Sequence, residues 1–560
     1  VKASCPGLLL LVGCGGFAPS WATAVAAPAV QSEPAPELLE EPARHAGPGV
    51  AEGAGGPARF ARRIYEGFDV EAALEVLRFT DGFYRSPGNP GYDLTLERVR
   101  ARLAASGFGS LEGFELEMLE TPLSTPPWTP KSGRLEALLP GGEVLVLHAF
   151  DRAGDVDRVM LPMYAPSADV EGRVVFDLAD VGPGTLLVST ENLAGRVVAQ
   201  LAKRGACAVL SAHIEPFTRD PSGGDAHLDA IQFRSVSRST RLPVAQISPR
   251  SHALLVELAR KHPSLRLRLR AQVEWGEGPL RTLVARVLGS SRPDEVVAVA
   301  SHVQEPGAGD NASGVAGLCE AAAGLARACA SGELERPART LVFLWGDEMR
   351  QTSIWLEHNR RRVIAGISAD MLGQSRAQTG SICLLERGPD PGALDTLPPD
   401  AHTPWGAGQV EEQDLAPNGL ALIGRVALVD VGRLVGGWAT SENPWEGGSD
   451  HDIFLGRGVP GVLFWHFTDF TYHTSLDRLE RIDPEELRRS SSAILATALA
   501  LADLRSADLE RLKASNVLER ELRVGAALEA ARPDVAKRWR EWCHGVELWL
   551  ETSCVDAARD

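Results

Sequence analysis

Histidines and acids recur at the ends of apolar runs in the second half of this chain. His302 follows the run Val296–Ala300, and Asp310 sits close behind it on the turn Gly307–Gly314. Asp347 and Glu348 follow Thr340–Trp345, Asp370 follows Val363–Ala369, and His473 lies just beyond Gly461–Trp465. Imidazole and carboxylate donors in one place suit a zinc-type ion. Two ions sharing one carboxylate need five or six ligands and a base that takes a proton from the water between them. Asp310 is the natural bridge, because Asn311-Ala312-Ser313-Gly314 supplies small and capping residues that allow close backbone approach. His302 with Asp370 would serve one ion and His473 with Glu348 the other. Asp347 is then left as general base, since neighbouring residues at a strand end point different ways. Each element alone has a plainer reading: a hydrogen-bonded core histidine, a solvated acidic pair, a turn before a helix. Their common placement at strand ends selects the metal reading.

These side chains need a scaffold that brings strand ends together. Strands are expected at Thr282–Leu288, Val296–Ala300, Thr340–Trp345, Val363–Ala369 and Gly461–Trp465, with helices at Val315–Ala330, Ser353–Arg360 and Glu485–Ala502. The alternation predicts an α/β fold with a mainly parallel central sheet flanked by helices. Loops beyond the carboxyl ends of such strands are where active sites gather. From about Pro140 to Arg270 short β-type runs surround one helical pattern, which reads as an inserted β-rich module. The expected organisation is a leader over 1–25, a flexible linker over 26–60, a catalytic domain over 61–139 and 272–505, the insert over 140–271, and a helical extension over 506–560.

The chain has 560 residues, of which 44% are hydrophobic and 23% charged, an ordinary balance for a globular protein of more than one domain. A net charge of −17 argues against nucleic acid as a partner, which calls for basic patches. Lys2, the short apolar stretch Leu8–Val12 and the small residues after it read as an export leader. Leu11-Val12-Gly13-Cys14 resembles a bacterial lipobox, so Cys14 is a candidate lipid anchor; an ordinary leader cut between Ala22 and Ala27 is the alternative. Either reading predicts an exported protein, held in the cell envelope or secreted. No CxxC pair exists, which argues against a cysteine zinc site.

The motifs Ser301-His302, Gly307–Gly314 (GAGDNASG), Phe343–Glu348 (FLWGDE), Ala369-Asp370-Met371, Gly448-Ser449-Asp450-His451 and Tyr472-His473-Thr474 with Asp477 occur in the order seen in the M28 zinc aminopeptidases, which the chain resembles over roughly Ile64 to Ala502. The insert resembles the protease-associated domain of many members. The resemblance implies two zinc ions held by His302, Asp310, Glu348, Asp370 and His473, Asp347 as base, and peptides as substrates. Three positions depart from the family. Gln304 stands where an Asp usually orients the first histidine, Asp347 stands where the base is usually Glu, and Met349-Arg350-Gln351-Thr352 replaces a Gly-rich turn.

The leading expectation is therefore a di-zinc aminopeptidase. Glutaminyl cyclisation with a single zinc, and a non-catalytic binding ectodomain on the peptidase scaffold, are the alternatives. Asp450 and His451 read as neighbours of the site or as a structural turn. Trp438 and Trp445 read as packing or as pocket walls, and Arg350 as a surface charge or a partner for a substrate carboxylate.

Overall fold

The computed structural model describes residues 44–193 and 195–556. The leader and Cys14 lie outside these residues. Two sheets organise the chain. The larger has nine strands in the order His45–Ala46, Thr440–Asn443, Ile382–Glu386, Gly461–Phe467, Arg362–Ala369, Arg292–His302, Arg339–Gly346, Leu280–Val287 and Phe114–Thr121. Pairing is antiparallel between Ile382–Glu386 and Gly461–Phe467, and on both sides of Leu280–Val287; the other neighbours are parallel. The five strands expected from the apolar runs are all members and lie next to one another across its centre.

Strand Arg339–Gly346 is buried at every position, as a strand covered on both faces must be. Helices Ala312–Ala330 and Pro484–Ala502 pack on one face. Their alanine-rich surfaces allow close approach: a Cβ on Gly317 would meet Ser491 Oγ at 2.4 Å. Each fully buried Leu or Val in this layer, such as Val315 and Leu487, contributes roughly 1.5–3 kcal/mol. Asn311 caps the first helix by accepting from Gly314 N at 3.1 Å, and Asp483 caps the second through Glu485 N at 2.9 Å. Register then levels the strand ends. His302 lies opposite Gly346, the residue before Asp347, and Ala369, the residue before Asp370, lies opposite Phe464.

The second sheet has seven strands between Trp128 and Trp275. Its strand Trp128–Leu138 falls ahead of the expected boundary at 140, and Arg266–Trp275 runs past 271. These two pair antiparallel from Trp128↔Trp275 to Leu138↔Arg266 and so belong to one body. The expected linker over 26–60 also needs correction where it is described. His45–Ala46 adds an edge strand beside Thr440–Ser441, and helix Ala58–Gly67 starts before 61. Between them Arg511 donates to Ala51 O and Gly55 O, while Asp508 accepts from Gly56 N. Gly and Pro raise the cost of regular structure, but they do not prevent docking through backbone hydrogen bonds.

Beyond residue 505 the chain forms two helices, Leu509–Glu529 and Pro533–Ser553, joined by a short turn. Trp539 and Trp542 are buried there, and the pair is keyed to the larger sheet's layer by buried ions. Arg425 bonds both Glu442 and Glu519, and Arg511 bonds Asp430.

Candidate metal centre

The six residues read from the sequence lie at the carboxyl ends of the parallel strands or on loops leaving them. His302 ends its own strand. Its Nε2 stands 3.1 Å from Asp370 Oδ1, 3.5 Å from Asp310 Oδ1 and 3.8 Å from Glu348 Oε1. On the other side, His473 Nε2 stands 2.9 Å from Asp310 Oδ2 and 3.1 Å from Glu305 Oε2. Asp310 thus turns one oxygen to each histidine, as a bridging carboxylate would. The acids are divided differently from the expectation, however. Glu348 keeps company with His302 and Asp370, and Glu305, which the spacing of motifs did not single out, stands 3.1 Å from His473 Nε2 while also grouping with His302 and Asp310.

Gln304 accounts for part of this. Its side chain does not orient His302. Gln304 Oε1 accepts from Glu348 N at 2.7 Å and Nε2 donates to Glu348 Oε2 at 3.2 Å. His302 is oriented by a main-chain group instead, with Nδ1 3.1 Å from Gln304 O. That carbonyl can only accept, so Nδ1 carries a hydrogen. A neutral imidazole then presents a lone pair at Nε2 toward the oxygens of Asp370, Asp310 and Glu348. Lone pair facing carboxylates is repulsive unless a proton or a metal cation lies between them. The donors are imidazole nitrogen and carboxylate oxygen, a set that fits zinc.

Burial sharpens the demand for positive charge. Burial and the Glu305 charge push Asp310 up to about 6, and burial above all pushes Glu348 well above the usual carboxylate range. Burial lowers both histidines, but Asp370 and Glu348 outweigh it at His302, and Glu305 and Asp310 outweigh it at His473; both rings end well above their ordinary value. Burial also raises Glu305, but His473 outweighs it and holds Glu305 low.

Asp347 is buried beside this cluster. Burial pushes it up to about 6 against the pull of Arg350, whose Nη1 lies 3.0 Å from Asp347 Oδ2. Arg350 is therefore neither a surface charge nor a free partner for a substrate carboxylate. Asp450 ties down the loop carrying the paired acids by accepting from Met349 N, Gln351 Nε2 and Thr352 Oγ1. His451 is fully buried on Glu386, 3.0 Å away, and does not reach the cluster's ligand atoms. Trp438 packs in the core and donates to Glu486, and Trp445 donates to Asp452.

Further positioning groups are visible only in three dimensions. Ser449 Oγ donates to Asp370 Oδ2 at 2.9 Å. Asp477 accepts from Gly309 N at 2.6 Å and Asp310 N at 2.8 Å, which fixes the main chain at Asp310. Arg85, wholly buried, donates to Val303 O and Gly307 O and so clamps the loop between His302 and Asp310. The second sheet's connection also takes part: Phe233 N and Gln232 Nε2 both donate to His473 O, and the Phe233 ring meets the His473 ring edge-on at 5.6 Å. Of the six non-glycine residues at positive φ among the described residues, four are Glu305, Met349, Met371 and His473. Backbone strain of this kind persists where surrounding structure enforces it, and it concentrates at functional sites.

Comparison with known proteins places the same region. The model of Peptidase family M28 matches residues 282–380 and 428–498. A solved peptidase M28 precursor from Shewanella amazonensis is 18% identical with a TM-score of 0.51, over 79% of this chain and 96% of that one, which shows a shared fold. An aminopeptidase from Aneurinibacillus sp. strain AM-1 is 18% identical with a TM-score of 0.47, over 79% of this chain and 96% of that one. A zinc aminopeptidase from Bacillus subtilis is 15% identical with a TM-score of 0.48, over 77% of this chain and 94% of that one. No curated protein matches the chain.

Proposed function

We propose that this chain is a zinc-dependent aminopeptidase of the M28 kind, working through two ions that share Asp310, a reading supported by the match of residues 282–380 and 428–498 to Peptidase family M28. The observation that carries the proposal is His302, hydrogen-bonded to a carbonyl at Nδ1 while Nε2 faces three carboxylates. The match to a peptidase family supports peptides as the substrates.

Zinc bound here would supply a polarised scissile carbonyl and a water acidified toward neutrality. The remaining work falls to the chain. Asp347 accepts the water's proton and passes it to the leaving amine; its carboxyl, pushed up to about 6, is matched to proton transfer near neutral pH. Arg350 holds Asp347 in place and favours its ionised form. Ser449 and Asp477 hold Asp370 and the Asp310 main chain. An aminopeptidase acts on substrates with a free amino terminus. Export, and lipidation of Cys14, remain part of the proposal through the leader alone.

The test is release of nitroaniline from a panel of aminoacyl-nitroanilides by zinc-loaded protein, with N-acetylated versions as controls. Zinc-dependent release from free amines alone is expected. Asp347→Asn is expected to lower kcat by about 10²–10⁴-fold with zinc content unchanged. Loaded protein that is silent on every free amine defeats the proposal.

A further inference from the structure

The acid facing His473 is Glu305, and its placement is specific. Glu305 Oε2 and Asp310 Oδ2 converge on the same His473 nitrogen, at 3.1 and 2.9 Å. One ring nitrogen offers one hydrogen or one lone pair, so it does not satisfy two carboxylates at once. An imidazole nitrogen with carboxylate oxygens close to it is the kind of donor set a zinc ion takes. The mirror set lies on the other side of Asp310, with His302 Nε2, Asp370 and Glu348. The ligand atoms of His302, Glu305 and Asp310 all lie within 4.8 Å of one another, as do those of His302, Glu348 and Asp370.

The surrounding structure builds this division. Gln304 grips Glu348 through its main-chain N and Oε2, drawing it to the His302 side. The next residue, Glu305, is held at φ 88°, where glycine would be unstrained and an L side chain is not. Its N–H donates to Arg85 O. The loop around it is clamped by the buried guanidinium of Arg85 on Val303 O and Gly307 O, and by that of Arg158 on Pro306 O. Two buried arginines and a strained backbone therefore aim one carboxylate at His473.

Taking the two-ion reading above as its basis, we propose that Glu305 is a metal ligand on the His473 side, and that Glu348 serves the His302 side. The exchange follows from the short loop between His302 and Asp310, which carries an acid where it passes His473.

Zinc counting separates this from the broader reading. Wild type, Glu305→Gln, His473→Gln and Asp370→Asn are loaded, stripped of excess metal, and measured by mass spectrometry and chelator competition, with folding checked by circular dichroism melting. Wild type is expected to hold two ions. Glu305→Gln and His473→Gln are expected to lose the same ion, its affinity falling by more than the roughly 10–100-fold carried by outer-sphere partners. Glu305→Gln holding two ions within roughly tenfold of wild-type affinity overturns the Glu305 proposal and leaves the two-ion reading standing. Wild type holding fewer than two ions overturns both. If Glu305→Gln does not fold, diffraction from zinc-loaded wild type decides. A Glu305 oxygen about 2.0–2.2 Å from the ion on His473 supports the assignment, and Glu348 in that place overturns it.

Discussion

Ser449→Ala isolates one support of the proposed metal centre without touching a proposed ligand. The hydroxyl donates to Asp370 Oδ2 at 2.9 Å, and both residues are buried, so water does not readily replace it. A hydrogen bond to a charged group is worth about 1.5–3 kcal/mol. At about 1.4 kcal/mol per decade, this corresponds to a weakening of zinc on the His302 side by about 10- to 150-fold, in line with the roughly 10–100-fold expected for partners of ligands. The alanine removes one oxygen from a site enclosed by main chain, so the fold is expected to survive. Competition against a chromogenic chelator reads both zinc affinities; one is expected to move and the other to stay. Affinities within twofold of wild type would refute the claim that Asp370 is held for metal by Ser449. Equal weakening of both ions would refute the assignment of Asp370 to one side.

The remaining predictions concern stability. Gly314→Ala would place a Cβ 2.2 Å from Asn311 Oδ1, 2.6 Å from Ala369 O and 2.7 Å from Ser301 Oγ, and is expected to cost about 1–3 kcal/mol or more by urea titration. Glu446 is pushed up to about 8 by burial and the nearby Glu386 charge. The folded state therefore binds this proton more tightly than the unfolded chain, and the contribution is full below about 4.5 and lost as pH rises toward 8. Against Glu446→Gln, wild type is expected to lose on the order of 4 kcal/mol across that window, read by denaturant titrations at several pH values. Zinc at a hundred times its Kd is expected to stabilise the folded chain by about 2.7 kcal/mol per site, read as a rise in Tm that a chelator reverses.

Much of the larger sheet was legible because its central strands are buried on both faces. A continuous apolar run as short as Thr340–Trp345 fits a doubly covered strand better than an amphipathic helix, and an acid or histidine at its end is conspicuous. Strand Thr440–Asn443 was not legible: it is polar, and its place depends on pairing with residues far away in sequence. The docking of His45–Ala46 was hidden for the same reason. At the proposed metal centre, side-chain types at strand ends could be read, but which acid faces which histidine could not. That depends on loop conformation. Glu305 follows from a positive φ and two buried arginines, and Glu348 from a glutamine that reaches it rather than His302. Asp477 and Ser449 stood inside motifs already noticed, but their roles rest on distances to Asp310 and Asp370 that spacing does not encode.

Anomalous diffraction at the zinc edge from zinc-soaked crystals tests the central claim most directly. Two peaks are predicted, one beside His302 and one beside His473, with Asp310 contributing one oxygen to each. No peak at these histidines, or a single ion that leaves Asp310 unshared, would contradict it.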